Sequence, residues 1–257
     1  AALCVKMTDP WLVSALALWI ALVLTLERLA VAQRPPPDNW RRIFRNIGLG
    51  VIALTAAPLL LTLTGRIASG MEPLVPLTAL GALGALLVQL LLLDIWTYGM
   101  HRAYHKVPFL WRFHAPHHLD DHLDASSAFR FHLGEILISA AMRLIPALIF
   151  GIDAPTLLAF EALLMANAVF HHSNIALPRR FERLLSWIIV TPSIHWIHHH
   201  KIRADTDSNY TAILSIWDRL FGSANPKARE IGMPIGVEGQ QDQSLLRLLA
   251  YPFVRQD

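Results

Sequence analysis

Cysteine and charge are both scarce in this chain. Its one thiol, Cys4, has no partner for an internal disulfide and rules out a CxxC metal or redox pair. Charged residues occupy 16% of the 257 positions, against about 25% in soluble globular chains, while hydrophobic residues occupy 54% and mean hydropathy is +0.42. That balance excludes a water-soluble domain. The formal net charge is only +3. The arginines gather at the ends of apolar stretches rather than along a basic face, which excludes nucleic acid as a partner. No histidine precedes residue 101, so imidazole chemistry is confined to the later part of the chain. No motif for flavin, nicotinamide or haem is present, and electrons for any redox step must come from a separate protein.

Long apolar runs are what the sequence has instead. Trp11 to Leu26 is uncharged and continues through Glu27 and Arg28 to Ala32, long enough to cross a hydrocarbon layer about 30 Å thick. Without a small-residue cleavage pattern it reads as a retained anchor. Ile47 to Gly65 and Pro73 to Leu93 form two more spans. The excess of Arg28, Arg34, Arg41, Arg42 and Arg45 between the first two places that connection in the cytoplasm. Residues 66–72 then face out, and the third span returns to the cytoplasm as it reaches His101.

Ile136 to Ile152 and Ala154 to Phe170 follow as the arms of a helical hairpin, parted by the turn formers Gly151, Asp153 and Pro155. A hairpin enters and leaves on one side, so His132, His171 and His172 come to the face that carries His101. Arg143 and Glu161 lie nine residues either side of Ile152. Equal depth predicts that they pair within the membrane; the alternative is that each reaches an interface. The basic amphipathic stretch Arg179 to Val190 and the apolar stretch Leu245 to Val254 are expected along the membrane surface.

The predicted architecture is an all-α integral membrane bundle, three spans plus a helical hairpin, with a cytoplasmic histidine-rich helical cap. One domain accounts for it: transmembrane helices in 1–98, a catalytic core in 99–223 that includes the hairpin 136–170, and a C-terminal surface segment in 224–257.

The thirteen histidines are grouped. His101 and His105 stand four apart on one helical face, the spacing that chelates one ion. His114, His117 and His118 form a second set, and His195, His198 and His199 a third, each with partners at three and four residues. A lone buried histidine is usually a hydrogen-bonded core residue. Eight in three chelating sets exceed the four to six ligands that one ion accepts, so two metals follow more naturally than one. Imidazole suits zinc, copper, iron and nickel alike, and ligand type stops at two borderline transition metals. His122 and His200 read as neighbours of these sets. Asp94, Tyr98, His101 and His105 share a helix face, which makes Asp94 either a supporting or channel group or an interfacial carboxylate closing the span. A zinc-dependent hydrolase is a rival reading, but HExxH is missing. A metal transporter or storage protein is another, though its histidines would line the spans.

At these residues the sequence resembles the fatty acid hydroxylase and sterol desaturase superfamily of membrane di-iron oxidases. The boxes HxxxH, HxxHH and HxxHH match His101/His105, His114/His117/His118 and His195/His198/His199. Agreement extends to Leu110–His114, Arg130–His132 with Glu135, His172–Asn174, Thr191–Pro192, Asp207–Tyr210 and Trp217–Gly222. Thr211 stands where relatives often have glycine, and Trp196 where they often have arginine. The resemblance implies that the eight box histidines are catalytic metal ligands, joined by His172, with His132 and His171 as further candidates. It implies two iron ions, replaceable by zinc in a purified sample, with O2 as co-substrate. An apolar lipid substrate drawn from the membrane lipids is implied too, as is a separate electron donor of ferredoxin, cytochrome b5 or reductase type.

Overall fold

The computed structural model describes residues 10–254, and Cys4 lies outside them. Among the described residues the chain is helical, with isolated β-bridges and no strands. Five helical segments are long and apolar enough to cross a membrane.

The first is α1 (Pro10–Leu29). It ends where the chain crosses to the segment after the hairpin, with Val31 bridging Ile175 and Ala176 N–H donating to Ala30 O at 2.7 Å. Next, α2 (Asn39–Ser69) runs 31 residues, about 46 Å at 1.5 Å per residue, well beyond its apolar run. The excess length is amphipathic. Arg42, Asn46 and Leu49 are buried while Trp40 and Phe44 are exposed, so the helix leaves the hydrocarbon and enters the polar cap.

The third span starts later than its apolar run. Pro73 and Pro76 have no N–H to give and disfavour helix before them; Val75 N–H instead donates to Ile149 O at 2.8 Å. The helix α3 (Gly81–Lys106) then continues past the membrane and carries His101 and His105 on its last turns. Pro108 holds Val107 extended and opens α4 (Pro108–His118), which folds the second histidine set back against the first.

The hairpin forms, but its first arm is broken into α5 (Leu133–Met142) and α6 (Leu144–Phe150). Pro146 lacks the N–H that the Met142 carbonyl would receive, so the helix parts at Arg143. Gly151 closes α6 at φ 65°, and Asp153 caps α7 (Ala154–His172) by accepting from Thr156 N–H at 2.9 Å. Arg143 Nη2 lies 2.7 Å from Glu161 Oε1, so the expected ion pair is present.

Helix α2 packs on α5 and α7, and α7 also meets α1 and the cap. Glycine permits the closest approach: a Cβ at Gly65 would fall 2.3 Å from Ala154 N. The outward positions Leu18, Leu59 and Leu83 are 70 to 73% exposed, as lipid-facing residues are. The cap adds α8 (Arg179–Leu185), α9 (Pro192–His198), α10 (Arg203–Thr206), α11 (Ile216–Leu220) and α12 (Leu245–Ala250). The two surface stretches are helical, with Phe181, Leu184 and Leu246 exposed. The C-terminal stretch is more than a surface layer, however. Leu248 and Tyr251 are buried with Leu49, Ala115 and Leu119, and Asp242 pairs with Arg45 and Arg130.

Candidate metal centre

Helix geometry decides how the histidine sets divide. Residues four apart lie nearly above one another, whereas the third position is rotated toward the neighbouring face. His101 with His105, and His114 with His118, therefore point the same way, and His198 of α9 joins them. The ligand nitrogens of these five all lie within 4.8 Å of one another. His195 and His199 form the other four-apart pair and meet His117 and His172 in a second group of the same compactness. The groups adjoin, for the His118 and His199 rings stack at 4.3 Å.

Within each group the Nε2 atoms face one another at 3.0 to 3.2 Å. Outer partners fix the tautomers of five of the nine rings. Nδ1 of His101 donates to Tyr210 O at 2.6 Å, of His198 to Ser208 O at 2.7 Å, of His117 to Arg130 O at 3.1 Å and of His172 to Ala168 O at 2.8 Å. His114 Nδ1 donates to Glu135 Oε1 at 2.8 Å. A neutral imidazole has a single N–H, so the Nε2 of each of these rings presents a lone pair to its neighbours. His101 with His114, His101 with His198, and His117 with His172 thus confront each other with no proton between them.

Protonation does not relieve the conflict. Burial pushes His114 down to about 3, helped by Arg203. Burial, and then the charges of neighbouring imidazoles, holds His117, His118, His195, His198 and His199 well below 6.5. A cation turns the facing lone pairs from repulsive to attractive, and nitrogens about 2.1 Å from a shared ion lie about 3.0–3.4 Å apart. The donation of the second ring N–H to a carbonyl or carboxylate is also what metal-binding histidines do. His105 adds an orphan Nε2, buried without a hydrogen bond, while its Nδ1 lies 3.4 Å from Asp207 Oδ1. The residues present fit two metal ions.

His132 and His171 stand outside both groups. His132 caps α5, its Nδ1 accepting from Gly134 N–H at 2.9 Å and its Nε2 donating to Leu249 O at 3.0 Å. His171 packs its ring 3.9 Å from that of His195, and Asn167 donates to its Nδ1 at 3.2 Å. His122 lies against Trp196, and His200 Nδ1 bonds Asp205 at 2.8 Å. Asp94 accepts from Trp217 Nε1 at 2.8 Å and Leu214 N–H at 3.1 Å, tying α3 to α11.

Support for the imidazoles comes from residues that the histidine pattern does not reveal. Asp218 accepts from Tyr210 N–H, Thr211 N–H and Thr211 Oγ1 at 2.6 to 3.0 Å, which aims the Tyr210 carbonyl at His101 and gives the hydroxyl of Thr211 a use. Arg42, grouped by sequence with the topogenic arginines, is buried and donates to Asp120, Asp124 and His122 O. Asn46 links Asp120 to Arg130, and Arg130 Nε reaches Pro116 O at 2.7 Å. The carbonyl of that arginine receives His117. Asp120 and Asp124, two and six residues after the second box, were the available signal. Trp196 is buried, donates to Ser173 O at 3.2 Å and carries the Arg229 guanidinium 5.0 Å above its ring.

Above the imidazoles a cavity of about 180 Å³ runs between α2, α3, α5 and α7. His101, His114, His117, His172 and His195 stand in its wall, and most of the remaining lining is apolar.

Fold and site together define a multi-pass, all-helical membrane protein built around two adjoining clusters of buried imidazoles. The family model for fatty acid hydroxylases matches residues 86–223, over half the chain, and the chain belongs to that family. It is 32% identical over 166 residues to an ornithine lipid hydroxylase of Rhizobium tropici, covering 65% of this chain and 49% of that protein. An alkylglycerol monooxygenase of Danio rerio is 29% identical over 143 residues, covering 54% and 30%. A cholesterol 25-hydroxylase-like protein of Danio rerio is 30% identical over 136 residues, covering 52% and 53%. The chain thus spans about half or less of the length of these relatives. No solved structure matches it.

Proposed function

We propose that this chain is an oxygen-dependent membrane enzyme that hydroxylates or desaturates an apolar lipid at a histidine-bound pair of iron ions. The carrying observation is the set of imidazoles whose Nε2 atoms face one another at the mouth of an apolar cavity, five of them with Nδ1–H committed outward. His101, His105, His114, His118 and His198 hold one ion, and His117, His172, His195 and His199 the other. When bound, the iron pair supplies the oxidising power toward an unactivated C–H bond, using O2 and external electrons.

The chain's own residues supply the rest. Tyr210, Ser208, Arg130, Ala168 and Glu135 hold five rings in the ligating tautomer. The apolar lining excludes water and presents one carbon of a lipid chain to the imidazoles. Relatives named for ornithine lipid, alkylglycerol and cholesterol support a lipid substrate. The whole chain works as one domain with the imidazoles on the cytoplasmic side, where a separate ferredoxin, cytochrome b5 or reductase delivers electrons. Exposed Arg28, Arg34 and Arg41 support that orientation.

The test is metal analysis coupled to oxygen uptake by the purified protein after loading with ferrous iron. Two irons per chain and reductant-dependent uptake are expected. Iron-loaded protein that consumes no oxygen overturns the reading, and hydrolytic activity with bound zinc replaces it. Lipid profiles of cells with the active and the His198→Ala protein then identify the substrate.

A further inference from the structure

The Arg143–Glu161 pair belongs to the wall of the cavity that opens on the imidazoles. On α7 the lining positions Glu161, Leu164, Met165, Ala168 and His172 recur along one helical face. On the facing arm Ile136, Ser139, Ala140 and Arg143 do the same. Glu161 and His172 are eleven residues apart on α7, which is about 16 Å of helix. The imidazoles and the ion pair therefore mark two ends of a lining that is mostly apolar in between.

An ion pair serves packing poorly at such a place. Charge at membrane depth is costly, and apolar residues of similar volume are often as stable as a buried pair. Hydrogen-bonding capacity is also left over. Arg143 Nε is buried without a hydrogen bond even though its guanidinium pairs with Glu161, and so is Nε1 of the cavity-lining Trp96. A buried polar atom of this kind is satisfied by a ligand that brings the missing donor or acceptor.

We propose that Arg143 and Glu161 anchor a neutral hydrogen-bonding group of the lipid, a hydroxyl or an amide, at the end of the cavity away from the imidazoles. The carbon presented for oxidation then lies about 16 Å from that group. Its binding arm stands on the cavity alone, while the oxidation arm rests on the function proposed above.

Wild-type protein and the double variant Arg143→Met/Glu161→Met, both in nanodiscs, are titrated with hexadecanol and with hexadecane. Comparing the ratio of the two dissociation constants between the proteins cancels partition into the bilayer. A shift of roughly 10-fold against the alcohol is expected in the double variant, the worth of one hydrogen bond to a charged group; equal ratios overturn the proposal. A second measurement needs only the wild type. Hexadecanol with a diazirine beside the hydroxyl should crosslink near Arg143 and Glu161, and with the diazirine on the terminal carbon near His101 and His195. The reverse pattern, or one site for both, also overturns it. Iron content and oxygen uptake on the same preparations keep the two ideas apart. Iron and uptake with a flat ratio remove the anchor and leave the oxidase, and a shifted ratio without iron does the opposite.

Discussion

Glu135 Oε1 accepts the Nδ1 proton of His114 at 2.8 Å, joining the first turn of α5 to α4 beneath the five-imidazole group. Tyr104 holds the same turn, its hydroxyl donating to Glu135 O at 2.9 Å. This carboxylate sets the tautomer of His114 and makes its Nε2 a better donor. Glu135→Leu should weaken metal binding by about 10- to 100-fold, the usual cost of losing such a partner. Glu135→Gln, which keeps an acceptor oxygen, should retain most of it. Competition with a metallochromic chelator measures both; equal losses in the two variants would contradict the tautomer argument.

His198 and His195 share α9 but belong to different groups. His198→Ala should abolish activity and empty the five-imidazole group, while His117, His172, His195 and His199 keep their ion. Elemental analysis should fall from two metals per chain to one, with membrane insertion unchanged. The same outcome is expected for His195→Ala, with the loss at the other group. Full metal content in either variant, or retained turnover in His198→Ala, would count against the division.

The pH dependence has a definite sign. Six imidazoles outside the spans are held neutral below their ordinary 6.5 by burial, His114 down to about 3. As pH falls below 6.5 the unfolded chain takes up protons that the folded chain does not, so stability drops, and the loss grows until the folded values are reached. Metal-free protein should show a midpoint of thermal unfolding that declines steadily from pH 7.5 to pH 5. A flat profile would mean that the rings are solvated.

Gly65→Ala tests the packing beside the hairpin. Its Cβ would meet Ala154 N at 2.3 Å and Ala154 Cα at 2.4 Å, backbone that cannot rotate aside. Moving α2 off the start of α7 should cost about 1–3 kcal/mol, read as a lowered unfolding midpoint in detergent. Gly70→Ala, whose nearest neighbour is a carbonyl at 3.5 Å, serves as the control and should change little.

Much of this architecture was legible in the one-dimensional pattern because hydrocarbon imposes a single requirement: a long uncharged run whose backbone bonds are satisfied internally. The spans, the hairpin and the Arg143–Glu161 pair follow from run length and from turn residues. Helix ends were less legible. The polar first turns of α2 and the prolines before α3 shift the boundaries by several residues, and Pro146 breaks an arm that hydropathy alone draws as continuous. Arg42 was the least visible, since a topogenic arginine and a buried one look alike until Asp120 and Asp124 are brought to it.

The sequence by itself determined that the histidines fall into three sets and that these emerge at helix ends, because spacing of three and four fixes which residues share a helical face. Only the tertiary structure decided how nine rings divide into five and four, that His172 takes a place while His132 and His171 do not, and which carbonyls set the tautomers. Those outcomes depend on contacts between α3, α4, α7 and α9, and no local periodicity encodes the direction in which a ring meets a neighbour from a distant part of the chain.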